Sequence, residues 1–394
     1  MIANTLKGIR VLDFSHVQSG PISAMLLGDM GAEVIKVESF TGDQFRAQLD
    51  GANFVNFNRN KRGIALDLKK REGKEVVLKL VKKADVLVEN FLPGVMDRLG
   101  LGYEAIRKLN PGTIYCSISG YGQEGPYRDR PAFDPIIQAM SGIMDTTGEP
   151  GRPPVRIRPG LIDHCAGLYT AFGIAVSLIE REKTGVGKRI EVSLLDVAIN
   201  PMSPYITQYK RTGELPKRAG SALPAASPYQ VFEARDGLIY IAANTDLMWA
   251  NLCKALKLDD LFCDPRYSTV KGRCQHREDL AKALTQVTRT YGCDELESRL
   301  LAERVPCGKV RTIGEVVEDA YIESRQILEE VDHPIMGKIV TVKTPIFFSG
   351  EPARTQLRAP LIGEHTKEIL SELGYSDNEI GQLLTEGVAL QYEA

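Results

Sequence analysis

Residues 8–38 read GIRVLDFSHVQSGPISAMLLGDMGAEVIKVE, and this stretch decides the fold. Its periodicity and turn residues predict, in order, a strand at 8–14, a loop at 15–21, a helix at 22–30 and a strand at 32–38. A compact strand–helix–strand unit joins parallel strands through a right-handed crossover. The alternation continues to residue 119, so the sequence predicts an α/β fold with a Rossmann-like, doubly wound parallel sheet.

Two domains are expected, because 394 residues are enough for two hydrophobic cores. Residues 211–228 are rich in proline, glycine and small side chains, which is typical of a linker or lid. An Asp-Gly hairpin followed by helices predicts a smaller α+β domain at 229–330. The large domain would comprise residues 1–210 and a returning segment at 331–394.

The composition narrows the possible partners. Hydrophobic residues make up 43% and charged residues 25% of the chain, as in an ordinary soluble globular protein. A formal net charge of -2 gives no reason to expect a nucleic acid or an anionic membrane as a partner. The seven cysteines are scattered and include no Cys-x-x-Cys pair, which indicates free thiols and no metal site. Without a basic-then-apolar leader, the expected location is the cytoplasm.

Ligands of doubly wound sheets bind beyond the carboxyl ends of the strands. The loops predicted at that edge are 15–21, 68–71, 90–94 and 120–123. None contains a Gly-x-Gly-x-x-Gly or a Walker sequence, so they give no support for a dinucleotide or a nucleoside triphosphate. His16, in the first loop, is either a buried structural histidine or a ligand contact.

A second informative stretch starts at Asp163, after a Pro-Gly break, and continues as a long apolar segment. It predicts a buried helix with Lys183 in its last turn and Gly185 as its stop. The apolar run contains glycine and hydroxyl residues and falls short of the roughly 20 residues that span a bilayer, so we expect a core helix. Asp163 would be the N-cap. A second, compatible interpretation is a covalent nucleophile, kept ionised by the helix start and served by neighbouring amides as an oxyanion hole.

Short motifs along the chain together resemble family III coenzyme A transferases of the CaiB/BaiF type. They are the 11–38 stretch, Asn58-Arg59-Asn60-Lys61-Arg62, the run 85–94, Gly120-Tyr121-Gly122, the run 183–187 and the run 358–366. Each motif alone is weak, but together they cover nearly the whole chain in order. The resemblance implies an interlocked homodimer that uses CoA thioesters as substrates and holds no tightly bound cofactor.

The resemblance also implies a mechanism, in which Asp163 is the catalytic aspartate. It would attack the thioester of an acyl-CoA donor, such as succinyl-CoA, and the mixed anhydride would become an aspartyl-CoA thioester before CoA passes to a carboxylic acid. The positions that match the family's CoA contacts are His16, Val17, Gln18, Leu66, Asp67, Leu68, Lys69, Asn90, Phe91, Arg98, Gly120 and Tyr121.

Some residues depart from the family pattern or refine the substrate. Ser39 stands where some members carry a basic residue, which bears on the adenine side of CoA. The stretch 219–226 lacks the glycine run of members that act on oxalate with formyl-CoA. Arg156 and Arg158 precede Asp163 and suit a second carboxylate, so a dicarboxylic acceptor is predicted.

Two alternatives stay open. An α-methylacyl-CoA racemase needs a paired acid and base, but Phe133 stands where racemases carry a histidine before the residue aligned with Asp134. His164 should point away from Asp163 along the helix, and Asp134 itself reads as a cap of the helix that it begins. A non-catalytic CoA-binding protein would keep the loops and tolerate the loss of Asp163.

Overall fold

The computed structural model describes residues 4–353 and 355–393, with the backbone alone at 351 and 352. This part of the chain divides into two compact units. The first comprises the residues up to Ile143, Arg156–Lys210 and the residues from Tyr321 onward, and the second comprises Met144–Val155 and Arg211–Ala320.

The strands are short, and those up to Ser119 are largely buried. They are β1 (Arg10–Asp13), β2 (Glu33–Glu38), β3 (Lys61–Leu66), β4 (Val86–Glu89), β5 (Ile114–Ser119), β6 (Arg189–Ser193), β7 (Tyr229–Glu233), β8 (Leu238–Ala242), β9 (Cys307–Lys309), β10 (Leu328–His333), β11 (Gly337–Val342), β12 (Phe347–Phe348), β13 (Glu351–Pro352) and β14 (Ala389–Leu390).

The helices range from single turns to one long helix. They are α1 (Ser19–Asp29), α2 (Ala52–Phe57), α3 (Arg71–Val81), α4 (Val95–Arg98), α5 (Tyr103–Leu109), α6 (Asp134–Met140), α7 (Ile143–Thr146), α8 (Leu161–Thr184), α9 (Leu194–Ile199), α10 (Ser203–Thr212), α11 (Asp246–Leu256), α12 (Asp259–Cys263), α13 (Val270–Gln275), α14 (Arg277–Thr288), α15 (Cys293–Ala302), α16 (Ile313–Val317), α17 (Ala320–Arg325), α18 (Thr366–Glu372) and α19 (Asp377–Thr385). Short 3-10 turns lie at Gln44–Arg46, Gln48–Gly51, Asn200–Met202 and Pro265–Tyr267.

The central sheet of the first unit has the order β14-β3-β2-β1-β4-β5-β6 among the described strands. Its neighbours pair in parallel except β14, which runs antiparallel to β3 with Ala389 opposite Leu66. β1 lies between β2 and β4, where the strand order changes direction and where ligands of such sheets bind. The predicted α/β fold with a mainly parallel sheet is confirmed.

Alternate side chains of the strands fill hydrophobic cores on the two faces of this sheet. On β1, Leu12 joins one core with Val76 and Ile369, and Val11 joins the other with Ile174. Because successive strand side chains point to opposite faces, a strand buried on both sides reads as a continuous apolar run. This is why the strands were recognisable in the sequence.

Several local predictions differ from the structure. α1 begins at Ser19, inside the predicted loop, because Pro21 is compatible with the first turn of a helix. The predicted helix at 195–209 is interrupted by the 3-10 turn at Asn200–Met202. α2 and β14 were not expected from the sequence; β14 has two residues and depends on pairing with a distant strand.

α8 is the 24-residue helix expected around Asp163, and its C-cap is Gly185 with φ 73. By length and mean hydropathy alone it is apolar enough to cross a membrane. One face packs against α1 and β5 and is buried, but on the other face Phe172 and Ile179 are 69% and 58% exposed. The prediction of a buried helix is therefore confirmed for one face of α8, while the other face is exposed in the single chain.

The second unit is built on an antiparallel sheet in the order β7-β8-β9. The predicted hairpin is confirmed, with Tyr229 opposite Ala242 and Glu233 opposite Leu238. The core beneath it includes Trp249 and the helices α11, α14 and α15.

Candidate active site

A cavity of about 220 Å³ lies at the carboxyl ends of β1, β4 and β5, against the first turn of α8. It brings together part of the predicted site, namely Asp163, His16, Val17, Asn90, Phe91 and Gly120. The remaining lining residues are Ser19, Gln44, Ile118, Ser119, Ala132, Phe133 and Leu194. Asp163 is thus at the edge where a ligand of this fold is expected.

The start of α8 is capped by a residue from another helix. Asp163 is not the N-cap, which is Gly160. Instead, Oδ2 of Asp134 accepts hydrogen bonds from the backbone N–H groups of Ile162, at 2.7 Å, and Asp163, at 3.2 Å. The amides next to Asp163 are therefore occupied, and the prediction that they form an oxyanion hole is not supported.

Asp134 is itself held in place by α6. Gln138 donates to Oδ1 of Asp134, while Oε1 of Gln138 accepts from the backbone N–H of Ile157 at 2.9 Å. Phe133 is the N-cap residue of α6, so the carboxylate of Asp134 serves α8 and not the helix that it begins. The sequence predicted that Asp134 caps a helix, which is correct, but the helix that it caps is α8 and not α6.

The surroundings of Asp163 favour its protonated form. Burial is the larger cause, and the negative charge of Asp134 adds to it; together they raise the pKa of Asp163 to about 7. A hydrogen bond from Ser19 acts in the opposite direction. The expectation that the helix start keeps this carboxylate ionised is therefore wrong, because burial and the charge of Asp134 outweigh the favourable effects on the charged form.

α1 approaches α8 closely on both sides of Asp163. Nε2 of Gln18 donates to the carbonyl oxygen of Gly160 at 2.9 Å, and a Cβ on Gly160 would lie 2.5 Å from Oε1 of Gln18. One turn beyond Asp163, a Cβ on Gly167 would lie 2.9 Å from the carbonyl oxygen of Ser19. Two glycines thus let the first turn of α1 bracket the aspartate.

Asn90 fixes the first loop through a reciprocal pair of hydrogen bonds. Its Oδ1 accepts from the backbone N–H of His16, and its Nδ2 donates to the His16 carbonyl, both at 2.8 Å. The His16 ring meets the ring of Phe91 edge-on, with centroids 5.4 Å apart. Burial lowers the pKa of His16 below 6.5, so its imidazole is neutral at pH 7.

The next residue, Val17, has a left-handed backbone with φ 68, which is strained for a β-branched side chain. Asp43 holds it there by accepting from its N–H at 3.0 Å. Lys36 lies 3.5 Å from the Asp43 carboxylate and donates to the carbonyl of Ser15 at 2.7 Å. Lys36 and Asp43 are both buried, so this ion pair acts on the loop without access to water.

A second buried pair supports the same loop from below. Lys61 donates to Oδ2 of Asp13 at 2.8 Å, and Asp13 accepts from the backbone N–H of Ser15 at 2.9 Å. Burial alone would raise the pKa of Asp13, but the charges of Lys61 and Lys36 lower it to about 2. Burial lowers the pKa of Lys61 to about 8. Charges inside the sheet thus position the cavity wall.

The other predicted CoA contacts lie outside the cavity. Leu66 is fully buried and its side chain packs in the core beside Leu68, while Asp67 accepts from the N–H of Lys69 at 2.9 Å in the turn after β3. Tyr121 meets Tyr127 edge-on after β5.

Arg98 is exposed and lies beside a second cation. A Cβ at Gly94 would be 3.3 Å from Nη1 of Arg98 and 3.7 Å from Nη2 of Arg128. The two guanidinium groups form a cationic corner next to the loop of Asn90. Arg128 was not singled out from the sequence, because surface arginines carry no local signal.

Arg156 and Arg158, predicted to meet a second carboxylate, are exposed and do not line the cavity. His164 is exposed on another side of α8 from Asp163, as its position in the helix implied. Within the described ranges, no group of histidine, cysteine or acidic side chains could hold a metal ion.

Comparison with known proteins shows which family the chain belongs to. Residues 6–366 match CoA-transferase family III. The chain belongs to this family. This CoA-transferase is 37% identical to the succinyl-CoA:mesaconate CoA-transferase of Haloarcula hispanica, over 94% of its own length and 96% of the relative's. It is 36% identical to the mouse succinyl-CoA:glutarate CoA-transferase, with 98% and 91% of the two chains covered.

A solved structure extends the comparison to the fold. A CaiB/BaiF family protein from Brucella suis superposes on this CoA-transferase with a TM-score of 0.85 and 36% identity. The alignment covers 93% of this chain and 99% of the other. The resemblance inferred from short motifs is thereby confirmed at the level of family and fold.

The pKa of Asp163 gives a pH-dependent prediction. A carboxyl whose folded-state pKa is raised from 3.8 to about 7 destabilises the fold increasingly as the pH rises between these values, and fully above them. Asp163→Asn should therefore raise the free energy of unfolding at pH 8 by on the order of 3 kcal/mol, and much less at pH 4.5. Denaturant unfolding at both pH values, with the exposed Asp260→Asn as control, measures this. Equal changes at the two pH values would contradict the burial argument.

The Asp43 contact predicts a binding defect. Asp43→Asn removes the charge that faces Lys36. It also leaves a single side-chain oxygen for the N–H groups of Val17 and Phe45, which both donate to the carboxylate in the wild type. The strained backbone of Val17 should therefore lose its fixed conformation. We expect the apparent affinity for an acyl-CoA to fall about tenfold, as for a poorly satisfied buried polar group. Asp50→Asn, on a nearby exposed turn, is the matched control. Unchanged binding by calorimetry would show that Asp43 does not shape the loop.

Proposed function

We propose that this CoA-transferase moves CoA from succinyl-CoA to a second dicarboxylic acid through covalent intermediates on Asp163. The observation that carries the proposal is the position of this carboxyl, which lies in the cavity formed by His16, Asn90 and Gly120. The two curated relatives compared above, named for succinyl-CoA with mesaconate or glutarate, supply the substrate class.

The carboxyl is suited to nucleophilic attack. A pKa of about 7 leaves a substantial carboxylate fraction at neutral pH, and that carboxylate is more basic than one in water. In the proposed first step an Asp163 oxygen attacks the thioester carbon, and CoA leaves as the thiolate. The thiolate then attacks Cγ of Asp163, the donor acid leaves as its carboxylate, and an aspartyl-CoA thioester remains.

Transfer of CoA from Asp163 to the acceptor acid follows the same two steps in reverse order. The acceptor carboxylate attacks Cγ of the aspartyl thioester, which releases the thiolate and gives a second mixed anhydride. The thiolate then attacks the acyl carbon of the acceptor and frees Asp163. His16, Val17 and Asn90 would hold the thioester end of CoA, and the Arg98–Arg128 corner would receive a phosphate group.

We also propose the homodimer that the family resemblance implies. A groove of about 930 Å³ runs along α1 and α8 and is lined by apolar side chains that include Phe172 and Ile346. Exposed apolar side chains grouped in one groove are typical of an interface, and a second copy of the chain would cover them. We further propose that residues 211–228 form a linker or lid. The free cysteines are consistent with a cytoplasmic location, which we also propose.

Loss of the carboxyl tests the nucleophile. Asp163→Ala should abolish CoA exchange, with a rate at least about 1000-fold below wild type, because no covalent intermediate can form. In wild type, hydroxylamine added during turnover should leave a hydroxamate at Asp163, detected by mass spectrometry of the peptide. Exchange that persists in Asp163→Ala would refute the mechanism, and exchange of an α-proton with deuterated water without acyl transfer would indicate a racemase.

The acceptor class is tested separately with succinyl-CoA as donor. Glutarate and mesaconate, the acids named in the two relatives, should accept CoA with kcat/KM values about 100-fold above those of monocarboxylates of the same chain length, because a site that recognises a second carboxylate discriminates against acids that lack it. Product CoA esters are separated by liquid chromatography. A preference for monocarboxylates, or for oxalate with formyl-CoA, would overturn the substrate assignment but leave the covalent mechanism intact.

A further inference from the structure

Two of the proposed steps pass through a tetrahedral carbon at Cγ of Asp163, which carries a full oxyanion. Such an oxyanion needs a fixed hydrogen-bond donor in a site that excludes water. Two backbone donors in the first turn of α8, the amides of Ile162 and Asp163, already donate to Asp134. The donor must therefore come from a group outside the first turn of α8.

Ser19 meets this requirement. It lines the same cavity as Asp163 and is only 4% exposed, and its hydroxyl lies near enough to the carboxyl to lower the pKa of Asp163 as a hydrogen-bond donor. Its position is fixed on both sides. Its own carbonyl oxygen lies against Gly167, one turn beyond Asp163, and the preceding residue, Gln18, bonds to Gly160.

We propose that the hydroxyl of Ser19 is a catalytic hydrogen-bond donor to the oxyanion that forms on Asp163. This inference rests on the proposed function, since it requires covalent chemistry at Asp163. When the thiolate attacks Cγ of the mixed anhydride, the carbonyl electron pair moves onto the aspartyl oxygen and the Ser19 O–H donates to it. Collapse of the tetrahedral species expels the donor carboxylate, and Ser19 keeps its proton throughout.

Several other polar groups near Asp163 have other partners or lie elsewhere on the cavity wall. From α6, Asp134 offers acceptor oxygens that its helix-capping bonds occupy. From the first loop, the neutral ring of His16 packs edge-on against Phe91. From the end of β5, the Ser119 hydroxyl accepts from the N–H of Gly122 at 3.1 Å. On α8 itself, His164 is exposed and lines a different groove.

The test compares Ser19→Ala with Ser23→Ala. Ser23 is a matched control, because it is fully buried on the same helix but donates to the carbonyl of Gly20 at 2.7 Å and does not line the cavity. Ser19→Ala should lower the single-turnover rate of aspartyl-CoA formation about 100-fold, as the loss of one oxyanion donor does elsewhere. KM for succinyl-CoA should stay within about threefold of wild type, because the bond strengthens only in the transition state. Ser23→Ala should react at the wild-type rate.

The pH profile separates this role from a simple effect on the charge of Asp163. The hydrogen bond also lowers the pKa of Asp163, so its loss would slow a reaction near pH 7 by protonation alone. An oxyanion donor predicts that the defect persists at pH 9, where Asp163 is ionised in both proteins. Full recovery of the Ser19→Ala rate at pH 9, or a wild-type rate of this variant at every pH, would overturn the role of Ser19. The proposed function would still stand in that case if hydroxylamine traps a hydroxamate at Asp163 in the wild type. Failure of trapping in wild type would overturn the proposed function and this inference together.

Discussion

The crossing of α1 over α8 is the contact on which the site depends. The two helices approach so closely at Gly167 that a side chain there would overlap with Ile22 and the Ser19 carbonyl of α1, and the side chain of Gln18, the N-cap of α1, lies against Gly160. This approach removes Asp163 from water and places Ser19 beside it. Both helices pack on the same face of the sheet, so the position of the carboxyl is set by a hydrophobic core and not by a mobile loop.

Asp134 has two opposite effects on this arrangement. By accepting the first amides of α8 it satisfies donors that would otherwise be buried without partners. Its charge also contributes to the raised pKa of Asp163, an unfavourable effect in a fold that serves stability alone. Such unfavourable terms are expected where a group must react, and the surrounding core has to compensate for them.

The buried ion pairs of Lys36 and Lys61 hold the loop after β1, which forms the wall of the cavity opposite α8. Lys36 and Lys61 lie on adjacent strands and are completely buried, each paired with an aspartate. A buried ion pair contributes little net stability, because desolvation offsets the Coulomb attraction. These pairs, however, direct hydrogen bonds to Ser15 and Val17, and so they hold a strained loop in one geometry. Preorganisation of the cavity is the physical reason to bury them.

The sequence by itself determined the α/β class, the parallel pairing of the first strands, the helix of Asp163 with its stop at Gly185, and the edge of the sheet at which the candidate site lies. These follow from periodicity and turn residues, which act over a few positions. The tertiary structure alone decided which residue caps α8, the direction of the pKa shift of Asp163, and the placement of Ser19 beside Asp163 and of Asp43 beside Val17. Each depends on residues such as Asp134 and Asp163 that lie far apart in the chain, and burial and charge between them arise only once the helices have packed.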